Sequence, residues 1–207
     1  MCFLNRKRVR VTRLRNLAAS AVLLLFLVTT APALADPILT LSPSTSTVDV
    51  GDTFTVSLVI SGAVGVYGWQ VDVSFGNTQI NVLSTSKGTF LTTGAIHPPT
   101  FFVGGTLNNG VGLVDNMAET RTGVDVGATG AGLLATLTFQ AVGPGVASLT
   151  IGNVVLSNAS AQALTVGSLS GTTVTVNSIP EPGTLMLLIS GLAGLAGLER
   201  IRGRVRE

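Results

Sequence analysis

The chain has 207 residues, of which 46% are hydrophobic, 5% aromatic and 11% charged, with a formal net charge of +2. Ten of its twelve bases sit at the two ends. Residues 36–178 hold only Lys87 and Arg121 against seven acids (Asp36, Asp49, Asp52, Asp72, Asp115, Glu119 and Asp125), a net −5, which leaves nucleic-acid binding without its electrostatic basis.

The first 35 residues have the make-up of a secretory signal peptide. Arg6, Lys7, Arg8, Arg10, Arg13 and Arg15 form a basic leader, Leu17 to Val28 is apolar, and Ala33-Leu34-Ala35 supplies small residues for signal peptidase. Cleavage is expected after Ala35. The apolar run falls short of the roughly 20 residues that span a bilayer. The only cysteine, Cys2, lies inside this segment, so the remaining chain is expected to contain no disulfide.

Residues 36–178 form one expected domain, long enough to bury roughly 70 per cent of its surface. Threonine, valine, serine and glycine dominate, and period-two alternation replaces helical periodicity. In "TFTVSLVI", Phe54, Val56, Leu58 and Ile60 share a face. In "YGWQVDVSF", Tyr67, Trp69, Val71, Val73 and Phe75 do so, which puts Gln70, Asp72 and Ser74 on the outer side as a candidate contact surface. In "LLATLTFQA", Leu133, Ala135, Leu137 and Phe139 point one way and Leu134, Thr136, Thr138 and Gln140 the other. Asn109-Gly110 suits a type I′ hairpin, Pro144-Gly145 a type II turn, and 123–132 reads as glycine-rich loop. About nine strands at sandwich spacing are expected.

Catalysis has little to rest on. His97, in "AIHPPT", is the only histidine, and no second histidine or cysteine accompanies it for a zinc site or a thiol nucleophile. Asp115, Glu119 and Asp125 are the acids to check as an acid–base pair or as oxygen ligands for calcium. They lack EF-hand spacing and read best as ordinary loop acids. No cofactor is expected.

Beginning at "VDVGDTFTVSLVISGAVGVYGWQVDVSFGNTQINVLSTSKGTFL" and resuming at "GAGLLATLTFQAVGPGVASLTIGNVVLSNASAQALTV" and "GTTVTV", the domain resembles a cohesin module. The shared features are the Val-Gly-Asp opening, an aromatic strand end before "INVLS", and a "LATLTF…GPG" hairpin followed by "NVVLSN". The resemblance implies an all-β jelly-roll sandwich of about nine strands, related to carbohydrate-binding modules, and a dockerin-like protein partner. The family's binding face includes polar residues at the start of the third strand. Those positions here hold Gly68 and Gln70 rather than the frequent Asn and Asp.

The chain closes on "IPEPGTLMLLISGLAGLAGLERIRGRVRE", residues 179–207. Thr184 to Leu198 is uncharged, and as a helix it rises about 22 Å against a hydrocarbon core of about 30 Å. Gly191, Gly194 and Gly197 weaken it as a permanent anchor. Arg200, Arg202, Arg204 and Arg206 stop translocation and stay cytoplasmic. Pro180-Glu181-Pro182, a short apolar transmembrane helix and a terminal arginine cluster together resemble the PEP-CTERM sorting signal of exopolysaccharide-producing Gram-negative bacteria. That resemblance implies transient inner-membrane anchoring, processing by exosortase near the triplet, and release to the cell surface or extracellular matrix. The domain is expected to bind a protein or exopolysaccharide there without catalysis. A purely structural matrix subunit is the alternative, and a glycoside hydrolase the remote one.

Overall fold

A computed structural model describes residues 36–93, 98–123, 126–179, 183 and 186–193. Ala33, Ala35, His97, Asp125, Pro180, Glu181, Pro182 and the four terminal arginines lie outside the described residues.

Among the described residues thirteen strand segments follow one another: β1 (Ile38–Pro43), β2 (Thr47–Asp49), β3 (Thr53–Val66), β4 (Gly68–Phe75), β5 (Ile80–Lys87), β6 (Thr100–Val103), β7 (Thr106–Asn108), β8 (Leu113–Arg121), β9 (Ala128–Ala141), β10 (Gly145–Ser157), β11 (Ala163–Leu164), β12 (Ser168–Ser170) and β13 (Thr172–Asn177). Nine of these have four residues or more, and the other four are short pairing segments. A 3-10 turn, Phe90–Thr92, separates β5 from β6.

The strands form two sheets. One runs β12-β1-β3-β9-β5, and the other β2-β13-β10-β4-β8-β6, with β11 on β10 and β7 on β8. All pairings are antiparallel except β1 with β12 and β2 with β13. Successive strands repeatedly change sheet, so each local alternation is completed by a partner distant in sequence. This is a β-sandwich, with one face of each sheet turned inward.

Leu41, Val56, Leu58, Ile80 and Phe139 line the inner side of the first sheet. Val71, Val73, Val114, Leu149 and Val174 line that of the second. Phe139 sits in the middle, stacked on Phe54 at 5.7 Å and edge-on to Phe75 at 5.3 Å between ring centroids.

Several local expectations change. The Gly-Pro-Gly turn does not close a hairpin, because β9 pairs with β3 and β5 while β10 pairs with β4, β11 and β13. It carries the chain from one sheet to the other, with Gly145 at φ 133°. Asn109-Gly110 is not a type I′ turn, since neither residue has positive φ. The connection from β7 to β8 spans 109–112, and Asn108 Oδ1 accepts from the amides of Gly110 and Val111. Asn109 instead reaches β5, where its Oδ1 accepts from Val82 N at 2.8 Å and its Nδ2 donates to Val82 O at 3.0 Å. The glycine-rich stretch is loop only at first, because β9 begins at Ala128. A register shift between β3 and β9 at Leu58/Val59 turns Leu134 inward and leaves Leu133 half-buried, the reverse of simple alternation.

Residues 186–193 are helical and exposed. Among the described residues no helix is long and apolar enough to cross a membrane.

Candidate docking surface

The middle of the second sheet presents a depression of ≈ 230 Å³ on its outer side. Register explains it. One outward row runs Val103–Ala118–Gln70–Val155, and the next runs Phe101–Thr120–Gly68–Ser157. Ala118, Thr120 and Gly68 therefore keep the two central strands, β8 and β4, low around Gln70. Larger apolar residues stand on the flanking strands, β6 and β10. Phe101 is 62% exposed, Val155 51% and Val103 43%. Gly68 keeps the floor low, because a Cβ there would lie 3.2 Å from both Ser157 Oγ and Thr120 Oγ1.

The three residues expected on this face behave differently. Gln70 lines the depression, and its Nε2 donates to Asn116 Oδ1 at 2.8 Å. Ser74 is exposed at the far end of β4. Asp72 is 6% exposed and does not offer its carboxylate to solvent. Its Oδ1 accepts from Asn116 N at 2.8 Å, and its Oδ2 from Asn153 Nδ2. Both asparagines have positive φ, 56° and 45°, where β8 and β10 bulge against β4. Asp72 thus ties two irregular strands to the regular one between them.

Tyr67 and Trp69 were expected to fill the core together. Trp69 does, tilted against Phe102 at 6.3 Å between centroids. Tyr67 precedes β4 and is half-buried, with its hydroxyl donating to Gly123 O.

The acids on β8 do not converge. Glu119 points between the sheets, 2% exposed, whereas Asp115 is half-buried four residues away. Neither carboxylate oxygen of Glu119 makes a hydrogen bond of good geometry, although the Thr100 and Trp69 side chains lie beside it. Burial pushes this carboxyl above the usual glutamate range. Thr100, the charge of Lys87 and Trp69 pull it back by less. Arg121, also inward, donates from Nε to Leu91 O at 2.8 Å and from Nη2 to Thr93 O at 3.1 Å, holding the 3-10 turn over the end of the sandwich. Among the described residues no three His, Cys, Asp or Glu side chains group as a metal site.

Phe101, Val103, Ala118 and Val155 were not singled out from the sequence. Phe101 carried a signal, as one of two adjacent phenylalanines in a short strand whose alternation must expose one of them.

No family model and no curated protein matches the sequence. Solved structures do match in fold. A chain of the type II cohesin–X–dockerin complex from Acetivibrio cellulolyticus aligns with a TM-score of 0.58 at 15% identity, covering 69% of this chain and 100% of that one. The non-cellulosomal cohesin from the archaeon Archaeoglobus fulgidus gives 0.52 at 14% identity, covering 70% and 93%. The cohesin module of a family 33 glycoside hydrolase from Clostridium perfringens gives 0.52 at 12% identity, covering 70% and 99%. The fold is therefore that of a cohesin-like β-sandwich.

Proposed function

We propose that the chain is an exported, non-catalytic surface or matrix protein whose sandwich docks a protein partner on the outer side of β6, β8, β4 and β10. The observation that carries this reading is the depression with apolar walls and a low floor, in which Glu119 is the one titratable lining residue. Exposed aromatic and aliphatic side chains around a shallow seat are the anchors from which protein interfaces take most of their energy. The cohesin-like fold supports the same reading, since one neighbour is a cohesin–dockerin complex. A dockerin-like secreted protein is the proposed partner class.

Phe101→Asp is expected to weaken capture of that partner from the native secretome by at least about tenfold, roughly 1.4 kcal/mol. Thermal stability should change little, because the ring is mostly in solvent. Val64→Asp, exposed on the other sheet, is the control. Equal loss of partner with both variants, or with neither, defeats the assignment of this face.

Polysaccharide contact is a second reading, favoured by the outer side of the first sheet. Ser42, Ser57, Thr136 and Ser86 form one row across four strands, and Thr55, Thr138 and Ser84 form another. Retardation in exopolysaccharide gels that survives Phe101→Asp supports this reading.

Export and sorting complete the proposal. Signal peptidase would cut after Ala35. The segment 184–198 would hold the domain transiently at the inner membrane, and exosortase would cut near Pro180-Glu181-Pro182. Protein extracted from the surface of a Gram-negative host is then expected, by intact mass, to have lost Arg206. A surface form that still carries Arg206 overturns the sorting reading.

A further inference from the structure

Glu119 lies between the sheets beside the side chains of Thr100 and Trp69, but neither of its oxygens, nor Trp69 Nε1 on the residue paired with it across β4 and β8, makes a hydrogen bond of good geometry. An ionised carboxylate so placed is disfavoured by lost solvation, and a neutral one far less so. The charged groups nearby offset this burial only in part. From β5, Lys87 is exposed and directs its Nζ to Thr100 Oγ1 at 3.2 Å. On β8 itself, the Arg121 guanidinium is engaged with the 3-10 turn. β4 contributes Trp69, β6 contributes Thr100 and Phe102, and the turn contributes Phe90 and Leu91; none of these carries charge.

The lid over this group is β6. Phe102 stands directly opposite Glu119, and Thr100 opposite Arg121. The strand has four residues, forms the edge of its sheet and pairs only with β8. Lifting it is a low-cost way to bring more water to Glu119, which already borders the depression, since β4 is held in its sheet on both sides, the 3-10 turn is pinned by Arg121, and β5 offers only the exposed Lys87.

We propose that Glu119 is a proton-operated latch on β6. Protonated, it lets the strand lie closed. Ionised, it draws in water and β6 peels from β8. The sign follows from linkage. The closed form binds the proton more tightly, because burial raises Glu119 there. Closure is therefore fully stable below the ordinary glutamate range and weakens as pH rises through the raised value. Phe101 and Val103 travel with β6, so opening removes one wall of the depression. That last consequence rests on the docking reading, and mild acid would then favour the docked state.

The test needs no partner, so its failure is separate from failure of the docking reading. Hydrogen exchange is followed at the Thr100–Val103 amides of the full chain in neutral detergent, as protection factors across pH. Wild type is expected to lose about tenfold protection per pH unit between the ordinary glutamate value and the raised one. Glu119→Gln should stay flat and closed. Lys87→Met should extend the falling range to higher pH, because Lys87 favours the ionised form. Matching profiles in wild type and Glu119→Gln overturn the latch, as does protection lost equally from β3 and β9. If Glu119→Gln fails to fold, carbon-13 titration of the wild-type Glu119 carboxyl decides. A midpoint in the ordinary glutamate range overturns the proposal, and a raised midpoint tracked by the β6 amides supports it.

Discussion

Phe139→Ala is expected to destabilise the sandwich by about 3–5 kcal/mol. The ring is fully buried and packs on Phe54 from its own sheet and on Phe75 from the other, so it is the bridge between layers. Truncation removes its transfer free energy and leaves a cavity that both rings border. Neither can collapse into it without pulling its strand out of register with a neighbour. Each kcal/mol should lower the melting temperature by about 2–4 °C in a domain of this size. Urea unfolding of the full chain measures it, with Val146→Ala, 62% exposed, as the neutral reference. A loss under about 1 kcal/mol shows that the two layers do not depend on this contact.

Gly88→Ala is expected to be as severe for a different reason. A Cβ at this position would lie 2.0 Å from Leu133 O and 2.4 Å from Leu133 C. The obstacle is backbone, so no rotamer change relieves it. The end of β5 would have to move off β9, breaking the hydrogen bond from Gly88 N to Leu134 O at 2.8 Å. A cost above about 4 kcal/mol belongs to this kind of mechanism. The expected result is little folded protein at growth temperature and a urea midpoint far below wild type. Gly152→Ala is the control, since nothing lies within 4 Å of its Cβ position. Equal stability of the two variants would show that β5 and β9 can separate freely.

Much of the fold is legible in single strands. Phe54, Val56, Leu58 and Ile60 alternate, and all four are buried. The signal fails wherever one extra residue enters a ladder. Leu134 is inward because of a bulge that depends on β3, 75 residues earlier in the chain. Alternation puts Asp72 on the outer side. Its burial could not be read, because it is created by bulges in β8 and β10, where Asn116 and Asn153 take positive φ. Glu119 was read as a loop acid because a carboxylate between two sheets contradicts its chemistry. Only the parity of Met117, Glu119 and Arg121 pointed inward. The depression on the second sheet needs the register of four strands drawn from residues 68 to 157, and local turn chemistry does not encode which sheet each strand joins.

The pair of hydrogen bonds between Asn109 and Val82 bears on how such a protein survives crowding. β5 is the last strand of its sheet, and an open strand border can recruit the same border of another molecule. At Val82 both outward backbone groups are already taken by one side-chain amide, and Thr85 Oγ1 is turned toward Gly104 O farther along. Molecules packed side by side would find no free peptide groups at Val82 through which to extend the sheet. Side-by-side pairing through this border would have to skip Val82, which interrupts the ladder in the middle of the strand's first half.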